Sequence, residues 1–279
     1  MPSGTVLVTG ASTGIGEATA LHLAELGFDV VAAVRRDEDA ERLSSRGLRS
    51  VKLDVTDEGS IAAARAELGD GPLAGLVNNA GIAVAGPLEF LPLDQLRRQL
   101  EVNLVGQVAV TQAFLPALRA ARGRIVNVSS IGGRVALPLV GPYNASKFGL
   151  EAVSDSLRRE LYSLGVDVIV IEPGGVKTPI WKKGNELADQ IAEGMPPDAE
   201  RLYGRLIEGL RRETGKIAEE TGIEPREVAE AIGTALSAER PRTRYLVGRD
   251  AKMRAAADKL LPDRVMDRLV ARAMGVGKR

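Results

Sequence analysis

The stretch from Thr5 to Gly16, Thr-Val-Leu-Val-Thr-Gly-Ala-Ser-Thr-Gly-Ile-Gly, limits the fold more than any other part of the chain. Val6-Leu7-Val8 reads as a strand buried on both faces. It ends at Thr9, and Gly10, Gly14 and Gly16 punctuate a tight turn into a helix starting near Ile15. A strand, a glycine turn and a helix N-terminus together present unpaired backbone N–H groups and the positive end of a helix dipole. That combination suits a pyrophosphate. Gly10 lets the chain turn, Gly14 lets phosphate approach, and Gly16 lets helix and strand pack closely. Three glycines also occur in ordinary βα turns, so the remaining chain decides.

Strands and helices alternate downstream. The first helix runs to Leu26 and closes at Gly27, and Asp29–Val34 reads as the second strand. Arg35 and Arg36 follow at once. In a dinucleotide fold an acidic residue near this place holds the adenosine ribose, whereas arginine suits a 2′-phosphate. The pattern favours NADP(H), with NAD(H) as the alternative; the plainer reading is two arginines on a solvated strand end. Thr13 in the turn is not basic, so a second phosphate clamp is missing. Ser50–Leu53 is a third strand leading into Asp54-Val55, a helix spans Asp57–Leu68, and Leu73–Val77 is a fourth strand before Asn78-Asn79-Ala80-Gly81.

The segment from Pro92 to Arg122 has helical apolar stripes, with Asn103 among them as a structural clasp or part of a proton path. Arg124–Val128 is the fifth strand, with Ser129-Ser130 at its end, and Tyr143–Lys147 opens a helix reaching about Leu164. Val166–Ile171 is the sixth strand, and Arg244–Val247 looks like the last. The alternation implies a parallel, doubly wound α/β sheet of about seven strands with helices on both faces. A polar insertion from 178 to 221 suggests a substrate lid. The tail from 249 to 279 is basic, with nine Lys/Arg against four Asp, and reads as a solvated outer face or an oligomer contact rather than a membrane-docking helix.

The 279 residues contain no linker, so one domain spanning 1–279 is expected. Lys+Arg and Asp+Glu both number 37, which gives no electrostatic footprint for nucleic acid. Cysteine is absent, excluding thiolate metal sites, and no His/Asp/Glu cluster has metal spacing. No signal peptide, anchor or membrane-length apolar run is read, so a cytoplasmic setting is expected. His22 falls on the helix face of Ile15, Ala18 and Leu26 and reads as a satisfied core histidine.

Tyr143 and Lys147 lie four apart, on one helix face. Bringing a phenol from about 10 to about 7 takes roughly 4 kcal/mol, which an ammonium ~4 Å away at an effective dielectric of about 20 supplies. The pair can make a tyrosinate-based acid/base, and Ser130 can hold the same substrate oxygen. Ser130 lacks a histidine base, which argues against hydrolase chemistry.

Thr9-Gly10-(three residues)-Gly14-Ile15-Gly16, Asn78-Asn79-Ala80-Gly81, Asn103, Ser130, Tyr143-(three residues)-Lys147 and Pro173-Gly174 together resemble the short-chain dehydrogenase/reductase family, whose Rossmann-type fold matches the alternation. The resemblance implies a catalytic set of Ser130, Tyr143 and Lys147, with Asn103 completing a proton relay. It further implies nicotinamide ribose contacts from Lys147, adenine contacts from Asp54 and Val55, and adenosine ribose contacts from Asn79 beside Ala80 and Gly81. Val176 and Thr178 would hold the nicotinamide amide, after Pro173-Gly174, and Ser12 and Arg35 would take the 2′-phosphate. Pairing through the helices at 100–122 and 142–164 into a dimer or tetramer is a further implication.

Finer wording, such as Ser146-Lys147-Phe148-Gly149-Leu150-Glu151-Ala152, is similar to the retinol and hydroxysteroid dehydrogenase group, which implies a lipophilic alcohol and its carbonyl partner. Many members of that group carry an N-terminal membrane anchor that is not read here. A nucleotide-sensing protein without catalysis and an epimerase or lyase with retained cofactor are the rival readings.

Overall fold

The computed structural model describes residues 4–276. Seven parallel strands form one sheet in the order β3-β2-β1-β4-β5-β6-β7. They are β1 (Thr5–Thr9), β2 (Asp29–Val34), β3 (Arg49–Lys52), β4 (Leu73–Asn78), β5 (Arg124–Val128), β6 (Asp167–Pro173) and β7 (Arg244–Val247). The order reverses beside β1, so the carboxyl ends of β1 and β4 open a crevice, the usual ligand position in such sheets.

The strands alternate side chains between two cores. Val6 and Val8 join α1 (Gly14–Glu25) and α9 (Pro225–Ser237) through Ala20, Leu23, Val228 and Ile232 on one face. Leu7 joins α3 (Glu58–Leu68) and α5 (Gly106–Ala121) through Ile61, Phe114 and Leu118 on the other. Burial on both sides explains why these strands read as continuous apolar runs. Glu224 and Glu227 form a capping box on α9, with Pro225 at its first position.

Several elements differ from expectation. The short α2 (Asp37–Ser44) is unannounced by any long apolar stripe and buries mainly Leu43 and Asp39. The third strand lies one residue earlier than read, and the sixth begins at Asp167 and runs on to Pro173. The helix expected over 92–122 divides into α4 (Leu93–Leu100), a π turn (Glu101–Val105) and α5. This continuous run, Leu93–Ala121, is long and apolar enough to cross a membrane, but it packs on the sheet with Phe114 and Leu118 fully buried.

The helix opened by Tyr143 is α6 (Gly141–Glu160), followed by a 3-10 turn to Leu164. The insertion forms two helices, α7 (Ile180–Glu193) and α8 (Pro197–Lys216), where the sequence pattern predicts only a helical piece near 202–210. The tail forms α10 (Arg249–Leu260) and α11 (Asp263–Ala273). These two helices face solvent along most of their length, as the composition implies, and their other side walls the same cavity as the glycine turn. Ala251 and Ala255 of α10, with Met266 of α11, pack on Ile131 and Val135. His22 is nearly buried, but its Nδ1 has no hydrogen-bond partner and stands 3.6 Å from the Glu25 carboxylate.

Candidate active site

A cavity of about 950 Å³ runs from the glycine turn to the tail helices. Its floor is fixed by backbone geometry. Gly10 and Gly14 have φ of +63° and +59°, a left-handed conformation that side chains resist. Ser12, Thr13 and Ile15 line the cavity with them. Gly16 does not line it; a Cβ there would stand 2.5 Å from Asn79 Nδ2 and closer still to the Gly10 carbonyl. Its role is close packing of α1 against the turn, as the spacing of the three glycines implies.

The turn is tied down by residues from other strands. Thr9 Oγ1 accepts from the N–H groups of Asn79 (2.9 Å) and Ala80 (3.1 Å), while Asn79 Nδ2 donates to the carbonyls of Thr9 (2.9 Å) and Gly10 (3.2 Å). Arg42 donates to the Ser12 carbonyl and pairs with Glu17 at 2.7 Å. Gln99, Asn103 and Gln107, four residues apart along the helix, strap the segment after β4. Gln99 Oε1 accepts from Val84 N–H at 2.7 Å, Asn103 Oδ1 from Ile82 N–H at 2.9 Å, and Gln107 Nε2 donates to the Ala80 carbonyl at 2.5 Å. Asn103 Nδ2 also donates to the Ile82 carbonyl and, at 3.3 Å, to Ser146 Oγ. Its amide is thus the clasp that a buried asparagine requires.

At the adenosine corner Val34, Arg35, Arg36, Asp54, Val55, Ala80 and Gly81 line the cavity. Arg36 is held in a two-bond fork by Asp39, through Nε at 2.8 Å and Nη2 at 3.2 Å. Arg35 is exposed and makes no ion pair among the described residues. Burial opposes ionisation of Asp54, but Thr56 N–H (3.0 Å) and Oγ1–H (2.8 Å), with Arg35 nearby, hold its carboxyl below the usual range.

Ser130, Tyr143 and Lys147 converge at the middle of the cavity. Ser130 caps the 3-10 turn Ile131–Gly133, its Oγ accepting from Gly132 N–H at 3.0 Å. Asn144 bolts this turn to α6, donating to the Gly132 carbonyl (2.8 Å) and accepting from Leu137 N–H (3.1 Å). Lys147 is buried; its Nζ donates to the Val128 carbonyl at 2.8 Å and lies 5.8 Å from the Tyr143 ring centre. Burial lowers its pKa to about 8, with Glu151 opposing the drop. Burial also pushes the Tyr143 phenol up, only partly offset by its hydrogen bond with Ser130. The net direction for the phenol is therefore upward in the protein alone, where the Lys147 ammonium is bonded to the β5 carbonyl.

At the far side Pro173, Gly174, Val176 and Thr178 line the cavity. Gly174 N–H donates to the Val247 carbonyl (2.9 Å), and Trp181 Nε1 to the Val176 carbonyl (2.6 Å). Asp250, from the tail, accepts from Gly175 N–H at 2.8 Å. Arg42, Gln99, Gln107, Asn144 and Asp250 hold the site from positions that the sequence motifs do not specify. Only the four-residue spacing of Gln99, Asn103 and Gln107 offered a signal.

The cavity is long enough in its lining, and floored by a turn whose positive φ and free amides suit a pyrophosphate, to accept a nicotinamide dinucleotide. Comparison with known proteins agrees. The short chain dehydrogenase family model matches residues 4–188. The NADPH-dependent 3-dehydrocapnine reductase of Ornithobacterium rhinotracheale is 36% identical over 275 residues, covering 94% of each chain. Retinol dehydrogenase 5 of Mus musculus is 38% identical over 277 residues, covering 94% of this chain and 86% of its own. A short-chain dehydrogenase from Burkholderia cenocepacia J2315 in complex with NADP superposes with a TM-score of 0.73 at 29% identity, covering 96% of both chains. The chain therefore belongs to the short-chain dehydrogenase/reductase family, within the retinol dehydrogenase group, and is an oxidoreductase that acts on CH–OH groups with NAD(P).

Proposed function

We propose that the protein interconverts a lipophilic alcohol and its ketone or aldehyde, prefers NADP(H), and uses Tyr143 as its acid/base. The observation that carries the reading is the meeting of Ser130, Tyr143 and Lys147 inside a cavity floored by the glycine turn. When bound, the nicotinamide supplies or accepts the hydride. Tyr143 holds its proton at Oη, in the chamber where a carbonyl oxygen would receive it. Ser130 Oγ, already steadied by Gly132 N–H, holds that oxygen as charge builds on it. Lys147 brings positive charge to the same chamber and, through its bond to the Val128 carbonyl, stays fixed in direction.

Preference for NADP(H) rests on the adenosine corner, where β2 ends in apolar Val34 and Arg35 is the cation left without a carboxylate. The NADPH dependence of the Ornithobacterium reductase is in keeping with it. A lipophilic substrate fits the methionines and leucines that α8, α10 and α11 place in the wall. The exposed Val105 and Phe148 on the two long helices would let two copies pair. A cytoplasmic setting is part of the same reading.

The test is Tyr143→Phe, assayed by reduced-nicotinamide absorbance with both nucleotides against neutral ketones and their alcohols. Turnover should fall about 10²–10⁴-fold while NADPH binding, followed by its fluorescence, stays at the wild-type value. A variant that keeps its turnover overturns the role of Tyr143, and a wild type faster with NADH overturns the preference.

A further inference from the structure

The two ends of the cavity treat charge differently. At the nucleotide end Asp39 answers Arg36, and Thr56 holds Asp54. At the other end α10 and α11 contribute Met253, Met266, Leu269 and Val270, and Met274 follows just past α11. One half-buried cation stands in that apolar wall. Arg254 lines the cavity and makes no ion pair among the described residues.

Its natural partner is Asp250, one turn earlier on the same helix. The Asp250 carboxylate is instead turned to Gly175 N–H. Glu213, across the cavity on α8, pairs with Lys216 at 3.4 Å. Lys183 lines the cavity but is exposed, as are the tail's other described cations, Arg249, Lys252, Lys259, Arg264, Arg268 and Arg272. Water satisfies those. Arg254 differs in being only partly exposed, and an arginine stem can lie on apolar surface while its charged head stays within reach of a polar partner.

A guanidinium in such a place bonds a planar carboxylate through two parallel N–H groups, and gains more there than in open water. We propose that Arg254 receives a carboxylate at the end of a hydrocarbon substrate, so that the tail helices select amphiphilic acids over neutral lipids. The inference rests on the lipophilic-substrate reading above and narrows it to one class. It also gives α10 a reason to hold Asp250 away from Arg254, since an internal pair would leave the substrate's charge unanswered.

Trp181, the chain's only tryptophan, lines the same cavity and reports occupancy without turnover. Decanoate and decanol, matched in length, are titrated onto the protein saturated with NADP⁺ while Trp181 emission is followed. Decanoate should bind at least tenfold more tightly than decanol. Arg254→Gln should bring decanoate to the decanol level, Arg254→Lys should keep part of the difference, and neither should change NADP⁺ affinity. Equal binding of the two ligands to the wild type overturns the proposal, as does a decanoate preference that survives Arg254→Gln. Weaker NADP⁺ binding in Arg254→Gln also overturns it, because the arginine would then be answering the nucleotide's phosphates. A protein that fails the Tyr143 assay yet prefers decanoate through Arg254 loses only the acid/base reading. One that turns over neutral ketones but ignores charge loses only this inference.

Discussion

Residues 4–178 and the helices α7, α8, α10 and α11 hold their shapes by different means. In the first part the turns near the cavity are tied by buried side-chain bonds: Thr9 to Asn79 and Ala80, Asn103 to Ile82, Asn144 to Gly132 and Leu137. Buried amides paired in this way leave little freedom, because breaking one strands a polar group away from water. In the second part helices lean on one another through apolar side chains and surface ion pairs. Leu260 and Met253 are largely exposed, α11 buries no residue within its span, and Asp198–Arg201 is an open surface pair. Such pairs add little stability. The rigid part suits a ligand of fixed shape, and the looser part suits a substrate wall that can differ between relatives sharing the same turn.

The comparison is most easily broken at Gly16. A Cβ there meets Asn79 Nδ2 at 2.5 Å and the Gly10 backbone closer still, and neither can retreat without opening the turn. Gly16→Ala should cost about 3 kcal/mol, lowering Tm on the order of 5–10 °C and abolishing NADPH binding. Thermal unfolding followed by circular dichroism, with an NADPH fluorescence titration, checks both. A variant that unfolds and binds like the wild type would show the turn to be far more pliable than its hydrogen bonds imply.

Lys147 tests the rigid part from within. Its pKa, brought from 10.5 to about 8 by burial, means that the unfolded chain binds a proton there more readily than the folded one. Stability therefore rises with pH between about 8 and 10.5, and below about 8 the full penalty applies. The displacement corresponds to roughly 3 kcal/mol, against about 1 kcal/mol lost when the Val128 carbonyl forfeits its donor. Lys147→Met should thus lose turnover yet unfold a few degrees higher than the wild type at pH 7. That advantage should shrink as the pH is raised toward 10. A destabilised variant would mean that the bond to Val128 outweighs the burial of charge.

What could be read from sequence follows the same division. The glycine turn, the strand alternation and the Tyr143–Lys147 spacing are local patterns, and each lies within about two residues of where its pattern places it. Arg36 could have been read as occupied, because Asp39 is three residues on in the first turn of a helix. The hold of Arg42 on Ser12, 30 residues away, and of Asp250 on Gly175, 75 residues away, left no local trace. The expected effect of Lys147 on Tyr143 assumed that two side chains on one helix face must point at each other. The Val128 carbonyl, from a strand no helical spacing reveals, takes the ammonium instead. The tail has the composition of a solvated helix and is one over most of its surface; its packing on Ile131 and Val135, which turns one side toward the cavity, leaves no local pattern.

The mildest test repeats the Gly16 substitution in the looser part. Gly215 lies near the end of α8, in helical backbone that continues as a π turn to Thr221, and a Cβ there meets nothing within 4 Å. Its φ is not positive, so alanine adopts the same backbone without strain. Glycine in a helix interior costs up to about 1 kcal/mol relative to alanine, because it gives up more freedom on folding. Gly215→Ala should therefore raise stability by about 0.5–1 kcal/mol, read as a small rise in Tm, with NADPH affinity unchanged. The same chemical change would then have opposite signs in the two parts of one chain. If Gly215→Ala instead destabilises, or weakens nucleotide binding, α8 is held as tightly as the glycine turn and the contrast between the two parts fails.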